Sequence, residues 1–140
     1  MLKGIPAIIS PELLKILAEM GHGDEIVLGD ANFPGQAINE RCVRCDGHGA
    51  AELLNAILQL FPLDTYAKPV YLMEKVKGDN VETPIWEVYK EAVKPYTDDE
   101  LEYIERYEFY ERAKKAYAVV VTGETALYGN IILKKGVIAN

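Results

Sequence analysis

The chain has 140 residues, 49% of them hydrophobic, which is enough apolar material for one ordinary core and leads us to expect a single domain over residues 1–140. Folding at this size buries roughly two thirds of the unfolded surface, so neither a disulfide nor a structural metal is needed for stability. With 15 Lys and Arg against 22 Asp and Glu, the net charge of -7 repels phosphate backbones and anionic membrane surfaces and argues against nucleic-acid or membrane partners.

In chain order, the N-terminal stretch carries Pro6, Pro11, Glu12 and Glu19 and lacks the apolar core and cleavage site of a secretory signal, so a soluble cytoplasmic protein is expected. Ser10-Pro11-Glu12 predicts a helix start: serine can cap, proline is tolerated at the first helical position, and an acid suits the positive end of the dipole. Leu13, Leu14, Leu17 and Met20 supply the apolar stripe, and Gly21 is the expected left-handed stop. A strand follows over Glu25–Gly29, then the turn-rich "DANFPG", a short strand near Arg41–Cys45, and a helix from Ala50 to Leu60 closed by Pro62.

Further along, Pro69–Val76 reads as a strand, Gly78-Asp79-Asn80 as a turn and Pro84–Val93 as a helix. The stretch "TDDELEYIERYEFYERAKKA" opens on an apparent capping box, Thr97 with Glu100, and closes on Lys114 and Lys115, so it is expected to be helical at both ends. "YAVVVTG" and "NIILKKG" are β segments separated by "ETALY". Strands alternating with helices predict an α/β protein, three layers α/β/α around a mostly parallel or mixed sheet.

Several chemistries fail on the residues. The sole serine, Ser10, is committed to a cap and sits in no G-x-S-x-G elbow; no H-E-x-x-H or phosphate loop occurs. Gly47-His48-Gly49 is followed by Glu52 where a dinucleotide loop needs its third glycine. Cys42 and Cys45 form a lone C-x-x-C in an expected strand, where positions three apart face opposite ways, so they read as two reduced structural thiols.

Polar residues at element ends remain. His22 is a candidate acid or base, though a cation following a helix C-terminus also settles the dipole. Asp30 is either a turn former in "GDAN" or a ligand at a strand end; Arg106, among Glu102, Glu105 and Glu108, is either a surface ion pair or a binding group. Tyr128-Gly129-Asn130 has ordinary turn composition at a second strand end, and glycine-flanked His48 reads as a solvent-exposed loop residue.

Taken together, "LLKILAEMGHGDEIVLGDANFP", "RCDG", "FPLDTY", "RYEFYERAKKAYAVVVTGE" and "LYGNIILKKGV" resemble the L-fucose mutarotase branch of the sugar mutarotase family that also contains D-ribose pyranase. The resemblance is weakest between Lys75 and Glu105, and Cys45 stands where members often have a small residue. It implies a cytoplasmic isomerase that interconverts α and β anomers of a free monosaccharide, with no cofactor and no metal, in a homo-oligomer such as a decamer built of rings. His22 would match the catalytic proton donor, and Asp30, Arg106, Tyr128, Gly129 and Asn130 substrate-binding positions. Arg106 within "ERYEFYERA" favours fucose over ribose. A D-ribose pyranase-type enzyme and a non-catalytic sugar-binding or assembly module are the alternatives.

The implied chemistry agrees with the residues. Mutarotation removes the anomeric hydroxyl proton, protonates the ring oxygen, lets the aldehyde rotate and recloses the ring, so it needs proton transfer and positioning alone. An imidazole of ordinary pKa near 6.5 serves as acid or base near neutrality. Asp30 can accept from sugar hydroxyls, Arg106 donate, Asn130 do both, and Tyr128 can stack on the sugar or relay a second proton. If Glu25–Gly29 is extended, His22 and Asp30 stand roughly 20 Å or more apart. Then either "GHGD" folds back over the strand or neighbouring subunits complete the site, with the 128–130 turn the expected donated piece.

Overall fold

The computed structural model describes residues 1–140. It contains a six-stranded mixed sheet in the order β2-β5-β1-β6-β3-β4. The strands are β1 (Glu25–Gly29), β2 (Cys42–Cys45), β3 (Val70–Met73), β4 (Glu102–Ile104), β5 (Ala118–Thr122) and β6 (Ile131–Lys134). The helices are α1 (Pro11–Glu19), α2 (Gly35–Ile38), α3 (Ala50–Leu58), α4 (Pro84–Val93) and α5 (Arg106–Lys115). None is long and apolar enough to cross a membrane.

The central strands are continuous apolar runs because both faces of the sheet are covered. Ile26 and Leu28 of β1 pack with α1, α3 and α4 through Leu13, Leu54 and Tyr89, while Val27 faces Phe33 and the α5 residues Phe109 and Ala113. The result is the expected three-layer α/β/α arrangement. β1 and β5 run parallel, whereas β6 lies antiparallel between β1 and β3, pairing Glu25 with Lys134 and Leu28 with Ile131. β6 therefore begins at the end of the sheet where β1 finishes and finishes where β1 begins.

Local signals account for most element ends. The Ser10 hydroxyl accepts from Leu13 N at 3.1 Å and Pro11 opens α1, as its sequence predicts. Gly21 is not the left-handed residue expected there. α1 ends at Met20 with extended backbone, and the positive φ falls on Gly23, at +86°, inside the turn that Gly21 N closes onto the Asp24 carboxylate. The Thr97 stretch is the larger correction. Its first half is not helical: Thr97 Oγ1 accepts from Asp99 N in a local turn, residues Glu102–Ile104 pair with β3 as an edge strand, and the helix starts only at Arg106. The cap is Glu105, whose carboxylate accepts from Tyr107 N and Glu108 N. A short helix, α2, also occupies part of what reads as an uninterrupted turn after Asp30.

Candidate active site

The polar residues singled out in the sequence fall at the two ends of the sheet. At the end where β1 begins, the Gly21–Asp24 turn is pinned to the finish of β6: Gly23 N donates to Lys135 O and Lys135 N to Asp24 O, both at 2.8 Å. This places the His22 ring against Asp64, with Nε2 and Oδ1 3.0 Å apart. Asp64 is held there because Leu63 bridges Lys135 and Asp64 N donates to Lys134 O. Its side chain is 4% exposed against 44% for His22, so a buried carboxylate backs an imidazole open to solvent. Tyr66, among the most exposed aromatics, lies 5.3 Å from the His22 ring between centroids.

Burial opposes ionisation of Asp64, but the Tyr66 N–H, the hydrogen bond to His22 and the imidazole charge outweigh it and hold the carboxyl below its ordinary range. A carboxylate that stays ionised can only accept. In neutral His22 the proton therefore resides on Nε2, and Nδ1 is left as the nitrogen able to exchange a proton. The other histidine, His48, is exposed and the Glu52 carboxylate is 3.9 Å away on a still more exposed side chain.

At the opposite end a cleft of about 250 Å³ is lined by Asp30, Phe33, Arg106, Tyr110, Tyr128 and Asn130 among others, below the range typical of drug-sized ligands and suited to a single sugar ring. Two larger surface hollows, of about 560 and 590 Å³, contain none of these residues. The cleft is tightly built. Asn130, 5% exposed, accepts from Asp30 N at 2.8 Å. Burial pushes the Asp30 carboxyl up and nearby Glu124 adds to this, against the lowering effect of Asn32 N–H and Asn130. Arg106 makes no ion pair with the surrounding glutamates. It stacks over Tyr107 and donates to its hydroxyl at 3.0 Å, while its buried Nε has no partner within the chain. Arg106 is itself in the cleft wall beside Asp30 and Asn130, so its guanidinium is a donor available to a hydroxylated ligand there.

The 128–130 turn is rigid and belongs to this same cleft. Tyr128 has a φ of +57°, an uncommon conformation for an aromatic residue. It is over-determined by Trp86 Nε1 donating to Tyr128 O at 2.9 Å and by the Tyr89 hydroxyl donating to Gly129 O at 2.7 Å. The Tyr128 hydroxyl gives its proton to Asp79 at 2.6 Å and accepts from Val76 N at 3.1 Å, so it is not free to relay a proton to a sugar.

Of the expected residues, then, Asp30, Arg106, Tyr128 and Asn130 line one cleft, Gly129 sits in the turn between the last two with its carbonyl turned to Tyr89, and His22 does not join them. "GHGD" does not fold back over β1; the strand of 5 residues separates the two groups, by about 16 Å along its length alone. Sequence reasoning missed Asp64 and Tyr110. Asp64 is 42 positions from His22, and nothing in "FPLDTY" distinguishes a buried partner from a turn acid. Tyr110 was one of several tyrosines in a charged helix, and only the packing of its ring on Phe33, 5.7 Å between centroids, turns it to the cleft. Cys42 and Cys45 pack on opposite faces of the sheet, both free, with burial raising each thiol.

Known proteins share this arrangement of elements. A human protein called fucose mutarotase is 55% identical over 147 residues, covering 99% of this chain and 95% of that one. The structure of a fucose mutarotase from Streptococcus pneumoniae in complex with L-fucose superposes with a TM-score of 0.93 at 52% identity, covering 99% of this chain and all of the other. Bacillus subtilis RbsD complexed with D-ribose superposes less closely, with a TM-score of 0.77 at 26% identity over 99% of this chain and all of that one. The family model described as the RbsD / FucU transport protein family matches residues 3–138, and the chain belongs to that family.

Proposed function

We propose that this protein is an isomerase, an L-fucose mutarotase that interconverts the α and β anomers of the free sugar by general acid and base ring opening and closure. The observation that carries the chemistry is the His22–Asp64 pair: an imidazole 44% exposed, fixed at 3.0 Å by a carboxylate that is itself 4% exposed. Asp64 orients the ring and holds a proton on Nε2; the imidazolium gives its Nδ1 proton to the ring oxygen while a base takes the proton of the anomeric hydroxyl, and reclosure on the other face reverses both transfers. Asp30, Arg106 and Asn130 bind the sugar hydroxyls, and Tyr128 and Tyr110 wall the cleft. The 52% identity to the enzyme that binds L-fucose, against 26% to the ribose-bound protein, supports fucose as the sugar.

Because His22 and the Asp30 cleft occupy opposite ends of the sheet, we assign the complete site to two subunits of a homo-oligomer. One supplies the cleft and its neighbour the His22–Asp64 pair, with exposed Tyr66 beside it at the contact. The same reading carries a single mutarotase domain, a cytoplasmic location and the decamer built of rings that the sequence resemblance implies. The test is NMR saturation transfer between anomeric protons, with L-fucose and D-ribose in parallel. The parent should accelerate fucose exchange more than ribose exchange, and His22→Ala should lose on the order of 10²–10⁴ in rate while still binding sugar. Fucose anomers that exchange no faster with protein than without it would refute the reading.

A further inference from the structure

Between the end of β3 at Met73 and the start of α4 at Pro84, the chain places Val76 and Asp79 in the wall of the Asp30 cleft. This segment has little else to hold it. Glu74 N is tied to Ile104 O, and the hydrogen bonds beyond it are local: Asp79 N to Val76 O, and Val81 N to the Asp79 carboxylate at 3.1 Å. From residue 75 to residue 83, apart from Thr83 O, which accepts from Trp86 N where α4 begins, the hydrogen bonds to the rest of the fold go to one atom, the Tyr128 hydroxyl oxygen, which accepts from Val76 N at 3.1 Å and donates to Asp79 at 2.6 Å.

Tyr128 is an anchor of unusual stiffness, its left-handed backbone held by Trp86 and Tyr89 from α4. A charge-assisted bond to a fixed phenol is a strong tie for a segment that otherwise lacks one. That tie is reflected in both groups: the hydrogen bond lowers the Asp79 carboxyl and raises the Tyr128 phenol.

We infer that Asp79 is a positioning residue for the sugar cleft: through the Tyr128 hydroxyl it clamps the 75–83 segment to the 128–130 turn, and the wall so formed sets the affinity for the sugar. The inference rests on the sugar-binding reading of this cleft. Asp79 takes no part in proton transfer, and the phenolic proton of Tyr128 is committed to the clamp.

The test compares Asp79→Ala, Asp79→Asn and Tyr128→Phe with the parent. Anomer exchange is measured against L-fucose concentration, and the hydrogen exchange of the Val76 amide is measured without sugar. Asp79→Ala should raise KM about tenfold, the effect of losing one charge-assisted hydrogen bond, and leave kcat within about twofold. Its Val76 amide should exchange about tenfold faster, and that of Tyr128→Phe, which removes the Asp79 bond together with the acceptor of the Val76 N–H, at least as fast; the second variant serves if Asp79→Ala folds poorly. Asp79→Asn, which keeps a polar group against the Tyr128 oxygen, should recover most of the affinity. A parental KM in Asp79→Ala, or a fall in kcat at unchanged KM, overturns the proposal. A parent that does not exchange fucose anomers refutes the mutarotase reading instead, and the sugar-free Val76 rate then decides the clamp alone.

Discussion

Two inactive variants should restore each other. In His22→Ala the imidazole is gone and the Asp30 cleft is intact; in Asp30→Ala the reverse holds. If the site is shared, each complete site takes its cleft from one chain and its imidazole from a neighbour. Random co-assembly of the two variants in equal amounts gives a half chance of a sound cleft and a half chance of a sound imidazole, so about one quarter of the sites are whole. Each variant alone should retain about 1% of the parental exchange or less, as the loss of a general acid or a key binding group implies. Co-expression with two different tags, tandem purification of the mixed oligomer and saturation-transfer NMR on L-fucose therefore read a rise from near background to about a quarter of the parent. In a site built within one chain every subunit of the mixture carries a lesion, and no activity returns. A mixed oligomer that stays at background would refute the assignment, and with it the argument from the extended β1.

Three further outcomes follow from the carboxylates. Asp64→Asn replaces an obligate acceptor by a group that can also donate, so it releases the His22 tautomer; fucose exchange should fall on the order of 10²-fold or more with sugar binding retained, checked by NMR exchange and by ligand titration. Asp64 is also held below its ordinary pKa, so its contribution to stability is complete above the unfolded value near 4 and is lost as pH falls through the lower folded value; Asp64→Asn should flatten that part of the acid melting profile. Asp30 is the opposite case. Its folded pKa is raised, chiefly by burial, so the ionised form is disfavoured in the native state and Asp30→Asn, which still accepts from Asn32 N, should melt above the parent at pH 7 while losing sugar binding. The gain should fade as pH falls through the folded value of Asp30 toward about 4, where the unfolded carboxyl is also protonated; a Tm at pH 7 equal to or below the parent would count against it.

The sheet and its covering helices were legible where one local signal decided the outcome. Ser10-Pro11 and Pro84 set helix starts, and Ile26–Leu28 and Val119–Val121 are runs that only a strand buried on both faces accommodates. The failures share a cause, since each depended on a partner distant in sequence. Thr97 and Glu100 form a plausible capping box, but pairing of Glu102–Ile104 with Tyr71–Met73 takes those residues into the sheet and moves the cap to Glu105. Gly21 yields the left-handed position to Gly23 because Gly23 N must reach Lys135 O on β6. At the site, composition and spacing left His22, Asp30 and Arg106 as open alternatives, and the family motifs selected among them. The structure adds the buried Asp64 and the lack of any ion pair on Arg106, neither of which a linear pattern encodes.

The antiparallel strand β6 links Asn130, at one end, to Lys135, at the other, and so spans the interval between the two half-sites with only four residues, Ile131–Lys134. It acts as a ruler of fixed length inside each subunit. In a closed head-to-tail ring every cleft meets an imidazole and every imidazole a cleft, so the count of whole sites equals the count of subunits. An open chain of the same subunits wastes one cleft at one end and one imidazole at the other, and a lone subunit wastes both. If the site is shared between subunits as proposed, completing the assembly would itself be a step of activation, with output rising as the last gap closes.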